Sequence, residues 1–261
     1  MSDLNLLQAS LIAIIFIWSG FVRSGLGFGG ALFTLPFLLL VVNDPLIFLP
    51  IISIHLLLFA SFTIGREQWF IFKNKTAPTT VPSKVNWWFV RYSIMIMFVP
   101  KIIGVIGLLI LPVEIMNIVI FALIGAYALT YIANKPMRSN SRIMDIIFLA
   151  IGAYISGISL LGGPLIIAVA LRYIKPYEYR STLFVLWFFL VAIKMTAFAA
   201  ADVDLQLWNA LLLLPFAGLG HYLGLKAHQF LLDRDSRSFY RSIGWILFLT
   251  SCGGISQLLY N

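Results

Sequence analysis

The sequence predicts an all-α polytopic membrane protein. It is built as two inverted repeats with broken or re-entrant helices at glycine-rich motifs. Three observations predict this. The 261 residues are 61% apolar and only 11% charged, with a mean hydropathy of +0.98, against roughly 45–50% and about 25% in a soluble domain. The apolar residues fall into runs long enough to cross a bilayer, which takes about 20 residues of helix. A Gly/Ser motif recurs at corresponding places in the two halves. A soluble globule of this length needs more charge to cover its surface. Soluble enzymes, nucleic-acid modules, disordered chains and disulfide scaffolds are therefore excluded as classes.

The runs 4–22, 45–64, 85–111, 112–133, 182–201, 205–232 and 239–260 each suffice for a crossing. Three shorter runs, 29–42, 145–155 and 160–171, border Gly/Ser-rich breaks and do not span comfortably alone. The expected total is about eight membrane segments, with eight to ten allowed by the short runs. The chain divides into an N-terminal half, 1–134, and a C-terminal half, 143–261. A connecting loop, 135–142, joins them within one transmembrane domain.

Charge gives the expected orientation. Fourteen of the 18 Lys and Arg residues lie in or at the edges of the loops 65–84, 134–142, 172–180 and 226–241. The positive-inside rule places those loops in the cytoplasm. The opposite ends carry Asp3, Asp44, Glu114, Asp202 and Asp204, so both termini are expected outside, in a bacterial cytoplasmic (inner) membrane. The net charge of +8 is thereby accounted for without a nucleic-acid partner. The N-terminus does not read as a signal peptide, because it lacks a basic start and Arg23 follows its apolar run. The single cysteine, Cys252, excludes a disulfide-exchange enzyme or a Cys-built metal site. Neither metal nor cofactor is expected.

In each half a Gly is followed, after three intervening residues, by Ser-Gly and then by a Gly-Gly pair. The first motif holds Gly20, Ser24, Gly25, Gly27, Gly29 and Gly30. The second holds Gly152, Ser156, Gly157, Ser159, Gly162 and Gly163. Gly104/Gly107 and Gly220/Gly224 recur in the fourth segment of each half. The Gly-x-Gly-x-Gly-Gly run is no dinucleotide loop, since no strand precedes it and no acid lies at the required distance. Small residues in mid-span allow close helix packing. They also allow a helix to break, so that the next half-helix offers its N–H groups to an anion. Two such motifs in opposed halves favour the second use.

At these residues the sequence resembles the sulfite exporter TauE/SafE family of membrane transporters, over nearly the whole chain. The resemblance rests on 24–30 with Pro36, on Ser156-Gly157 with 161–165, and on 180–183, which read Arg-Ser-Thr-Leu. Ala31 stands where many members carry a third glycine, and Pro164 is single where one branch has two. The resemblance implies export or uptake of small sulfur-containing anions such as sulfite or organosulfonates.

A charge in the bilayer core marks a cavity or a partner. Lys101 and Lys194 lie near the middle of their runs, where snorkelling is difficult. They either face a water-filled path that attracts an anion or contact helix C-terminal carbonyls. Arg23 abuts the first motif, as an inner topology anchor or as the cationic wall of a site. Arg91 is near enough to Lys84 to snorkel. His55 is a packing residue or a proton-coupling group, and His221 beside Gly220 fits packing. Asp145 is expected at the interface.

The expected function is a secondary transporter of small anions, with alternating access between the halves. The expected substrate-binding residues are Ser24, Gly25, Gly27, Gly29, Gly30, Ser156, Gly157, Ser159, Gly162, Gly163, Lys101 and Lys194. Besides the anion and the lipid bilayer, a coupled proton or other ion and a second copy of the chain are the open partners. The alternatives are a passive channel or complex subunit, and an intramembrane hydrolase pairing Ser24 or Ser156 with His221 or His55.

Overall fold

The computed structural model describes residues 5–26, 30–73, 85–135, 137–232 and 236–260, and these are all-helical, with no strand among them. The N-terminal half supplies α1 (Leu6–Leu26), α2 (Leu35–Val41), α3 (Pro45–Lys73), α4 (Trp87–Ile110) and α5 (Val113–Ile132). The C-terminal half supplies α6 (Arg142–Ser159), α7 (Gly163–Tyr173), α8 (Pro176–Ala200), α9 (Leu207–Leu232) and α10 (Ser236–Tyr260). Eight are long and apolar enough to cross a membrane, and α2 and α7 are the exceptions. Large apolar side chains such as Met95, Ile110 and Leu249 are exposed, a surface suited to lipid rather than water.

The breaks come later than the Ser-Gly pairs. Ser24-Gly25 lies in the last turn of α1, and Ser156-Gly157 remains helical within α6. The second break falls at 160–162. There Leu160 turns left-handed (φ 62°) and its N–H returns to the Ser156 carbonyl. The short helices start where proline fits, at Pro36 and Pro164 in their first turns. Proline's fixed φ suits that position, and its missing N–H would be unpaired there anyway.

Each short helix runs back beside the long one before it. Asp145 in the first turn of α6 is fully buried and meets the end of α7. Its carboxylate accepts from Arg172 Nη1 at 2.8 Å, Tyr173 OH at 2.5 Å and Ser139 Oγ at 2.5 Å. Asp145, expected at the interface, is thus enclosed by protein donors at the start of α6. In the first half the corresponding tie is one long, neutral contact, Gln8 Nε2 to the Val41 carbonyl at 3.5 Å.

Several of the main helix pairs recur under a shift of five helices. α1 packs on α9 as α6 packs on α4, and α3 touches α9 as α8 touches α4. The α3–α8 and α5–α10 pairs map onto themselves. Glycine makes the first two seams possible. A Cβ on Gly157 would stand 2.6 Å from the Lys101 carbonyl oxygen and 2.8 Å from Gly104 Cα. A Cβ on Gly220 would overlap the Ile17 carbonyl of α1.

Candidate binding site

A cavity of about 60 Å³ opens where the two broken regions face each other across α3 and α8. Its polar wall comes from Ser19 and Arg23 on α1 and from Ser156 on α6, with Gly30 and Gly163 beside them. Ser19 and Arg23 are four residues apart, and so share one face of α1. Its apolar wall comes from α3, through Ile52 and Leu56, and from α8, through Phe184, Trp187, Leu190 and Val191. No acidic residue lines it.

Arg23 is 7% exposed, and its Nε and Nη2 are buried without a hydrogen-bond partner among the described residues. Its guanidinium lies over the Phe59 ring, 4.4 Å from the centroid. The second glycine of the first Gly-Gly pair leaves room for its stem, since a Cβ on Gly30 would come within 3.1 Å of Arg23 Cβ. A buried guanidinium keeps its charge and pays for desolvation unless an anion meets it. Beside it, Gly163 and Pro164 begin α7. The first N–H groups of a helix have no intrahelical acceptor, and the helix dipole favours negative charge there.

Lys101 and Lys194 are wholly buried. Both reach the carbonyl end of α6. Lys101 Nζ donates to the Ser156 carbonyl at 2.8 Å and to Ser156 Oγ at 2.9 Å. Lys194 Nζ donates to the carbonyls of Gly157, 2.8 Å, and Ile158, 3.2 Å, and lies 5.2 Å from the Phe198 ring centroid. The last four carbonyls of a helix lack intrahelical donors. Lys194 occupies two of them, Gly157 and Ile158, where the dipole favours cations, and Lys101 shares the Ser156 carbonyl with the Leu160 N–H. Neither lysine is among the residues that line the cavity.

The remaining expected residues divide. Gly30, Ser156 and Gly163 line the cavity. Gly162 caps the N-terminus of α7, and Gly157 serves the α4 seam. Ser159 is buried and donates to the Ile155 carbonyl at 3.0 Å. Ser24 is buried, donates to the Gly20 carbonyl at 2.9 Å and pairs with His221 Nδ1 on α9. Gly25 follows it at the end of α1. Gly27 and Gly29 lie outside the described residues. His55 Nε2 donates to the Ala210 carbonyl at 2.7 Å, tying α3 to α9. Arg23 had two readings on sequence, and Ser19 and Trp187 had none. The available signal for Ser19 was its four-residue spacing from Arg23. Among the described residues no group of His, Cys, Asp and Glu is arranged to hold a metal ion.

A multi-pass helical bundle with a small cavity at broken helices defines a membrane transporter by class. The chain belongs to the sulfite exporter TauE/SafE family, whose model matches residues 11–253. The comparisons with curated proteins and with solved structures found no match.

Proposed function

We propose that the protein is a secondary transporter that exports small anions such as sulfite, organosulfonates or related sulfur anions. The observation that carries the reading is Arg23, a buried guanidinium with unpartnered nitrogens at a cavity free of acids. The anion meets Arg23, the hydroxyls of Ser19 and Ser156, and the N-terminus of α7. Gly30, Gly162 and Gly163 keep the backbone close to it. Gly25, Gly27, Gly29 and Gly157 complete the two motifs, with Ser24 and Ser159 holding the helix ends. Lys194 raises the positive potential from behind, and Lys101 holds Ser156.

The recurring helix pairing supports two repeats, 1–134 and 143–261, and the charge asymmetry of the loops supports their opposite orientation. Rocking one repeat against the other exposes the site alternately to each side. The basic loops lie in the cytoplasm of a bacterial inner membrane and both termini outside. No cofactor takes part. His55 is a proton-coupling group in this scheme, and a second copy of the chain is a partner.

The test is flux in proteoliposomes loaded with sulfite, and separately with methanesulfonate. The wild-type chain is expected to give saturable flux, and Arg23→Gln to reduce it by about tenfold or more, the cost of a lost charged hydrogen bond. Unchanged flux in R23Q overturns the site, and flux without saturation supports a passive channel.

One observation favours a second reading, an intramembrane hydrolase: the Ser24–His221 pair has the contact that nucleophile and base require. Against it, Ser24 is fully buried, gives its proton to Gly20 and does not line the cavity. Labelling of Ser24 by a fluorophosphonate would favour it.

A further inference from the structure

We propose that Lys101 is a positioning residue, which fixes the Ser156 hydroxyl as a hydrogen-bond donor to an oxyanion in the cavity. This rests on the anion-site reading above. An ammonium has three donors and no acceptor. Ser156 Oγ therefore accepts from Lys101 Nζ, and its own proton must point elsewhere. No acceptor takes that proton among the described residues, and Ser156 lines the cavity. The second bond from Nζ, to the Ser156 carbonyl, clamps backbone and side chain of one residue together. That carbonyl also accepts from the Leu160 N–H, at the turn that ends α6.

The contrast with the other motif serines makes the assignment specific. Ser24 spends its proton on the Gly20 carbonyl, and Ser159 spends its own on Ile155. Both behave as ordinary helix serines bonding back one turn. Ser156 has the same helical setting and makes no such bond among the described residues; its oxygen accepts from the lysine of α4. The seam that allows this is the Gly104–Gly157 contact, which brings α4 against α6 within one turn of both residues.

The polar wall then presents donors: the Ser156 hydroxyl opposed to the guanidinium of Arg23. Such a wall suits a group rich in lone pairs, a sulfur or carbon oxyanion, and among the described residues has no carboxylate to attract an amine or a metal cation. Lys101 acts through Ser156, without touching the ligand.

The experiment measures affinity for sulfite and for methanesulfonate by calorimetry on the full chain in nanodiscs. The variants are R23Q, S156A, K101M and the S156A/K101M double. S156A and K101M are each expected to weaken binding by about ten- to a hundredfold, the range for a charge-assisted hydrogen bond. The double variant is expected to bind no worse than S156A alone, because the lysine works only through the serine. A double loss equal to the product of the single losses overturns the proposal and makes Lys101 a separate electrostatic or structural contributor. So does unchanged binding in S156A. Should K101M fail to fold, K101R keeps a cationic donor and is expected to bind within about threefold of wild type. A loss in K101R as large as in S156A overturns the proposal. Weak binding in R23Q with normal binding in S156A leaves the anion site standing and removes the relay. Normal binding in R23Q, or a wild-type chain that binds neither probe, overturns the site and the relay together.

Discussion

Arg23 and Asp145 are both buried ionised residues, yet their surroundings assign them opposite parts. Asp145 has three donors around its two oxygens, so its charge is compensated within the fold. Arg23 lies over the face of Phe59, which balances a fraction of its desolvation cost, and among the described residues its Nε and Nη2 have no hydrogen-bond partner. A satisfied charge stabilises structure, whereas an unsatisfied one waits for a ligand. Replacing Asp145 by Asn is accordingly expected to lower stability by about 1–3 kcal/mol, with Arg172 half-open to solvent and contributing the lesser part. A melting curve in detergent reads this. An unchanged midpoint would show that the Asp145 cluster contributes nothing. Arg23→Gln should leave the melting temperature unchanged or raise it, while removing anion-dependent stabilisation. A marked drop would make Arg23 a structural residue.

At the scale of elements, the two glycine seams place the broken helices. Because α4 touches α6 backbone to backbone at Gly104 and Gly157, Lys101 can reach the α6 carbonyls. Gly157→Leu forces a side chain into that contact and is expected to cost about 1–3 kcal/mol or more and to impair flux. Gly107 on the same α4 helix has open space where a Cβ would stand, and Gly107→Ala should be tolerated or mildly stabilising, by up to about 1 kcal/mol. Thermal midpoints of the two variants check the contrast, and equal effects would refute the seam. The hairpins also differ in strength. The α6–α7 pair is tied by a charged cluster, whereas the described hydrogen bonds from α1 to α2 and the turn before it, Gln8 to Val41 and Trp18 to Phe33, are neutral. Hydrogen exchange is expected to be slower in α7 than in α2, because local opening follows the number and quality of buried contacts.

At the scale of the whole molecule, the loop charges carry the orientation. The chain has one cysteine, so a Cys252→Ala background accepts new labels cleanly. A cysteine at Asn5 is expected to react with a membrane-impermeant maleimide from outside intact cells, and one at Arg138 only after the cells are opened. The reverse pattern would invert the orientation. The recurring pairs, α1–α9 with α4–α6 and α3–α9 with α4–α8, put the two breaks on facing sides of α3 and α8.

The sequence by itself determined the membrane class, seven of the eight long helices, and the two motifs near which helices break; the eighth, α6, is longer than the short run 145–155 from which it grows. Hydropathy and run length fix these, because a bilayer admits only backbone that satisfies its own hydrogen bonds. It also marked Lys101 and Lys194 as buried, since nothing on their own helices could pair with them. Which atoms meet them was beyond its reach. A lysine in an apolar run reads the same whether it faces water or a carbonyl 55 residues away in the chain. The exact break point was hidden too, because Ser156-Gly157 breaks a helix or seals a seam depending on whether α4 lies against it. Only the tertiary structure put Arg23, Ser19, Ser156 and the start of α7 around one cavity and spent the lysines on the helix end. Those choices depend on contacts between helices distant in sequence, and the periodicity of one helix carries no record of its neighbour.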